Sequence, residues 1–242
     1  MATQLIYLLY IHGMGLGAVT QLTAQFKLLP MKPIVELPAN YIKIDTLDLS
    51  RDIGVLIKLQ IAVLLSFIPV GWVFLLATFA LRPAAREVLP QWGLFDLNFD
   101  NGFFVQLIIS PPLVFSLLLA TILVIFIHEA IHGLFFYLYT NRRPRFGFKI
   151  LYAYAASPEG VYINRSQYFI VGLSPLLVMT FVGVLLLPVL PLIAIPSLVF
   201  TLILNASGSV GDVAMMAWLL RQPKEALIKD TGIMVSAFGP GD

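Results

Sequence analysis

Residues 122–136 read ILVIFIHEAIHGLFF, a run that is apolar throughout except for His128, Glu129 and His132. A spanning helix needs roughly 20 mostly apolar residues. Extended in both directions, this run supplies them. SPP at 110–112 is a helix start, with Ser110 as N-cap and Pro111 in the first turn. The helix then continues to about Tyr139. Ionisable groups inside such a span are expensive and are by default functional.

The rest of the chain agrees with a membrane setting. Of its 242 residues, 59% are hydrophobic and only 12% charged, whereas a soluble domain is nearer half apolar and a quarter charged. The net charge of +2 includes no basic tract that would suit nucleic acid. There are no cysteines, so disulfides and thiolate metal sites are excluded. A transition-metal site must use carboxylates and the three histidines, His12, His128 and His132.

Working outward, the first span is expected at about Ile53–Leu81, bent at Pro69 and Gly71. The link 82–102 follows, and FFVQLII (103–109) is expected to skim the membrane. After the second span, the stretch KILYAYA–SPEG–VYI (149–163) reads as a β-hairpin around a turn sequence. The third span is expected from Ser166 to Leu187 with a kink at Pro175, and the fourth from Ser197 to Leu220. The fold class is thus an all-α membrane protein of about four transmembrane helices, with a small cytoplasmic β-hairpin between helices two and three.

At the N-terminus, LIYLLYIHGMGLGAV (5–19) is a marginal membrane-associated segment without the basic start of a signal peptide. Met31 is a candidate start for the native chain. Residues 1–36 are therefore read as a lead-in, 37–220 as the membrane-embedded domain and 221–242 as a cytoplasmic tail.

Short-loop basic residues set the orientation. Arg142, Arg143, Arg145, Lys149 and Arg165 lie between spans two and three, against Arg82 and Arg86 between one and two. Arg221, Lys224 and Lys229 follow the last span. Both termini are expected in the cytoplasm.

HEAIH is an HExxH pattern. On a helix, i and i+4 share a face, so His128 and His132 can hold one metal ion with Glu129 beside it as general base. A hydrolytic zinc site takes three protein ligands and keeps one position open. His12 is remote. Apart from Glu129, only Asp212 lies inside an expected span, on a polar stripe with Asn205 and Ser209 at i, i+4, i+7. Gly208 and Gly211 allow close helix approach there. Glu159, in the SPEG turn, is the rival third ligand. At about 1.5 Å per residue, His128, Asp212 and Pro175 lie about 16, 12 and 13 Å from the expected cytoplasmic ends of their helices. They share one level, where a kink at Pro175 would open space.

HExxH in one span, with Asn…Asp in a later one, resembles the site-2 protease family of intramembrane zinc metalloproteases. LPANYIKIDTLDLS, IFIHEAIHG, YFIVGLSP and NASGSVGD together resemble more closely a bacterial membrane family described as putative zincin peptidases. The likeness covers about Leu37 to Leu220. It implies that residues 37–220 are a zinc metallopeptidase domain of the bacterial cytoplasmic membrane. It further implies that His128, His132 and Asp212 bind zinc, that Glu129 is the catalytic base, and that Asn205 positions substrate or stabilises the oxyanion. The chain departs from the site-2 pattern in having Gly211-Asp212-Val213 where that family commonly has Asp-Gly, and in lacking a proline between Asn205 and the aspartate.

The expected partners are the lipid bilayer and a membrane-protein or peptide substrate, with an extended substrate stretch pairing against a strand of the hairpin. Two rivals remain at this point. A metal-binding sensor or transporter would need the histidines and Asp212 but not Glu129. A scaffold that merely packs helices would bind no metal.

Overall fold

The computed structural model describes residues 33–48, 53–88, 95–98, 104–107, 111–149, 152–232 and 234–241. The hypothesis about Met31, the segment around His12 and the N-cap at Ser110 lie outside them.

Among the described residues, four helical segments are long and apolar enough to cross a membrane, as expected, which marks the chain as an integral membrane protein. They are α1 (Ile53–Leu81), α2 (Pro111–Thr140), α3 (Arg165–Leu186) and a fourth span made of two helices, α4 (Ile195–Gly208) and α5 (Val210–Leu219). Large apolar side chains such as Leu64, Ile68 and Trp72 on α1, and Phe115 and Leu118 on α2, are exposed. In water that would be a liability; in lipid it is the expected outer face.

The fourth span was expected as one helix from Ser197 to Leu220, but it breaks at Ser209, whose ψ is 3°. Gly208 and Gly211 flank the break and favour the helix poorly. Ser209 donates its hydroxyl back to the Asn205 carbonyl at 2.9 Å, a local bond that competes with helix continuation. Arg165, at the start of α3, then closes the far end of α5. Its guanidinium donates to the carbonyls of Leu219 and Leu220 at 2.9 and 3.0 Å.

The all-α expectation needs correction. Strands β1 (Tyr41–Asp48), β6 (Ile163–Asn164), β7 (Leu227–Asp230) and β8 (Met234–Pro240) form an antiparallel sheet in the order β1-β8-β7-β6. Its strands come from the segment before α1, the loop before α3 and the tail. Each is too short or too distant in sequence from its partner to declare itself, and pairing alone brings them together. The sheet sits at the end where α1 begins, α2 ends, α3 begins and α5 ends. Asp45 of β1 clips it to α5 by accepting from Trp218 Nε1 at 2.8 Å and Gln222 Nε2 at 2.9 Å. One buried cluster, including Phe136, Tyr168, Val171, Met216, Ile228 and Val235, joins the sheet to α2, α3 and α5. The stretch expected to skim the membrane contains β3 (Phe104–Leu107), which pairs with β2 (Phe95–Asn98).

The expected hairpin is displaced. Its strands are β4 (Arg145–Lys149) and β5 (Tyr152–Ala156), with Phe148 opposite Ala153. The SPEG turn, where Gly160 has a φ of 67°, joins β5 to β6 instead. RFGFK alternates strictly and is the better strand; its basic residues disguised it as loop. One face of the hairpin meets α2. The Phe148 ring meets Phe126 of α2 edge-on at 5.9 Å. A Cβ on Gly133 would overlap the Phe146 ring. The hairpin thus lies along α2, reaching a level about 21 Å from the end of that helix.

Candidate metal centre

The i, i+4 spacing on α2 brings the rings of His128 and His132 to a centroid distance of 4.9 Å. Each ring is held at Nδ1. His132 Nδ1 lies 2.9 Å from the Val171 carbonyl. That carbonyl is available because Pro175, four residues on, has no N–H to complete the helical bond. The proline therefore leaves the Val171 carbonyl free of a helical N–H, and that oxygen, which also accepts the Ser174 hydroxyl at 2.7 Å, orients His132. A carbonyl only accepts, so His132 carries its proton on Nδ1 and presents the Nε2 lone pair.

His128 is held in the same way from α4. Its Nδ1 lies 3.0 Å from Asn205 Oδ1, while Asn205 Nδ2 donates to the Pro175 carbonyl at 3.3 Å. Asn205 is fully buried, and both ends of its amide are engaged.

Both Nε2 atoms face Asp212, in the first turn of α5 just beyond the break. His128 Nε2 is 3.1 Å from Oδ2, and His132 Nε2 is 3.5 Å from Oδ1. One ligand atom from each of the three residues lies within 4.8 Å of the others, so the three could hold a metal ion. The donor chemistry fits a cation. With both Nδ1 positions protonated, two lone pairs and a carboxylate converge, and nothing but positive charge relieves their repulsion. Ring nitrogens fixed from behind in this manner are the usual support of metal-ligating histidines.

Glu129 adjoins the cluster. The backbone N–H of Ala155 on β5 is hydrogen-bonded to its carboxylate, and Oε2 is buried with no partner. Glu159 is exposed in its turn and stands outside the cluster. Ser209, third member of the expected stripe, is spent on the helix break.

These groups open onto a cavity of about 250 Å³ between α1, α2, α3, α5, β5 and the β7–β8 hairpin. Two of its polar residues carry no motif. Tyr168 of α3 donates its hydroxyl to Asp230 Oδ2 at 2.8 Å. Asp230 Oδ1 accepts the Gly232 N–H at 2.6 Å, an Asx-turn that the spacing D-T-G in the tail could have signalled. Burial pushes the Asp230 carboxyl up to about 6, against the lowering effect of Gly232 and Tyr168. An acid that holds its proton more tightly when folded stabilises the fold below its unfolded value of 3.8, and that contribution is lost as pH rises through about 6. The difference corresponds to about 3 kcal/mol. In metal-free protein in detergent, thermal stability should fall between about pH 4 and 6, and Asp230→Asn should flatten that slope. Parallel slopes for the two proteins would show that Asp230 does not titrate there.

An apolar four-span bundle with a half-buried His₂Asp cluster and an adjacent carboxylate marks an integral membrane protein with a candidate metal centre. Residues 121–227 match the model of a family described as "Putative zincin peptidase". The match is with a zincin-type peptidase family. It covers less than half of the chain but includes all five of His128, Glu129, His132, Asn205 and Asp212. No curated protein and no solved structure matches the chain.

Proposed function

We propose that this protein is an intramembrane zinc metallopeptidase that hydrolyses peptide bonds in or near the bilayer. The observation that carries the proposal is the convergence of two back-supported Nε2 atoms and one carboxylate beside a glutamate whose Oε2 is buried without a partner. His128, His132 and Asp212 would hold zinc, for which a His₂-carboxylate set is well suited. Zinc held there supplies Lewis acidity, polarising a peptide carbonyl and acidifying water.

The chain's own groups do the rest. Glu129 accepts the proton of the attacking water at its free Oε2 and passes it to the leaving amine, so water is consumed and an acid and an amine are released. Asn205 acts as a positioning residue for His128 through its Oδ1. Strand β5 lines the cavity at Ala153, Tyr154 and Ala155, which suits a substrate stretch lying extended beside it. The basic residues Arg142, Arg143, Arg145, Arg165, Arg221, Lys224 and Lys229 all belong to the sheet end, which supports a cytoplasmic placement for that end. A bacterial cytoplasmic membrane follows from the family likeness.

The test is metal analysis of protein purified in detergent without chelators. About one zinc per chain is expected, as in three-ligand hydrolytic sites. Cleavage of β-casein should be lost on treatment with 1,10-phenanthroline and return with added zinc. Metal-free protein, or cleavage indifferent to the chelator, overturns the proposal.

A further inference from the structure

A peptide cut within a bilayer must leave its helix, and its exposed N–H and C=O groups then need partners where water is scarce. The cavity offers few. Asn205 is committed to His128 and Pro175, and Tyr168 to Asp230. The backbone of β5 provides one wall. Another part of the lining comes from α1, which packs on α4 and α5 and contributes Leu56, Leu59, Gln60 and Val63. These four fall at i, i+3, i+4 and i+7, a single helix face. Three are apolar and one is a carboxamide.

Gln60 lies about 10 Å into the span from Ile53, its residue is exposed, and among the described residues it has no hydrogen-bond partner. An uncharged amide at that depth is still costly. It cannot serve as acid or base. It can donate and accept at once, which is the complement of a peptide group.

We infer that Gln60 is a substrate-positioning residue, its carboxamide hydrogen-bonding the backbone of an extended peptide along the α1 wall of the cavity, with Leu56, Leu59 and Val63 taking apolar side chains. This rests on the metallopeptidase proposal and deepens it: the substrate class is an unwound, apolar segment recognised through its main chain as well as its side chains.

The test compares two probes on zinc-loaded full-length protein in detergent, with affinity read by calorimetry. Acetohydroxamate has no peptide backbone and reports the metal centre alone. A peptide hydroxamate with two backbone amides and leucine-like side chains also reports the α1 wall. Gln60→Met keeps the length of the side chain and removes the amide. Its zinc content should equal wild type and its acetohydroxamate affinity should stay within about twofold. Its affinity for the peptide hydroxamate should fall about tenfold, the loss of one well-made hydrogen bond. Equal changes for both probes, or none for either, overturn the role of Gln60 while leaving the metal centre standing. If acetohydroxamate fails to bind the wild type, the metallopeptidase proposal falls, and the role of Gln60 falls with it.

Discussion

Glu129→Gln is expected to lower the rate of peptide-bond hydrolysis by on the order of 10²–10⁴-fold, the usual worth of a positioned general base, while zinc content stays at the wild-type level. Glutamine has the same shape and can still accept from the Ala155 N–H that holds the native carboxylate. What it lacks is basicity at Oε2, the buried oxygen left without a partner. No ligand atom is altered, so the metal has no reason to leave. Turnover of β-casein and metal content measured on the same preparation separate the two effects. Full turnover in Glu129→Gln would show that the base is another group. A protein whose biological role survives the change, with metal bound and no hydrolysis in the wild type, would be a metal-binding sensor or transporter instead.

How much of this centre could be read from the chain depended on the range of the interaction. The four spans were legible because about 20 apolar residues in a row have few other uses. His128 and His132 were legible because i, i+4 on a helix is local geometry. Asp212 emerged by elimination, as the other carboxylate within a span. The sheet was not legible, because β1 and β8 lie nearly two hundred residues apart and neither forms a strand alone. The hairpin was misplaced because arginine and lysine in RFGFK resemble a loop until Phe146 and Phe148 are seen resting on α2. The role of Pro175 was half legible. The proline was visible within its span, but the carbonyl it frees at Val171 matters only once His132 is known to face it. Asp230 and Gln60 carry no motif, and their place in the cavity comes from tertiary packing alone.

Asp212→Ala should cost the metal. Structural zinc sites with four ligands bind with roughly 10–16 kcal/mol, so one ligand is worth about 3 kcal/mol, roughly a hundredfold in affinity. Losing the only anionic ligand of the three makes that a lower bound. Zinc should therefore be depleted after dialysis against a mild chelator that leaves the wild type loaded, and hydrolysis should disappear with it. Asp212→Asn, which keeps an oxygen but not the charge, should fall between the two. The rival carboxylate provides the control. Glu159 is exposed in the turn after β5 and has no part in the cluster, so Glu159→Gln should hold zinc like the wild type. The opposite pattern, with metal lost from Glu159→Gln and kept in Asp212→Ala, would require the 157–160 turn to fold over α2. The Nε2 contacts of both histidines would then have to leave Asp212, although each ring is fixed from behind by an acceptor that points it there.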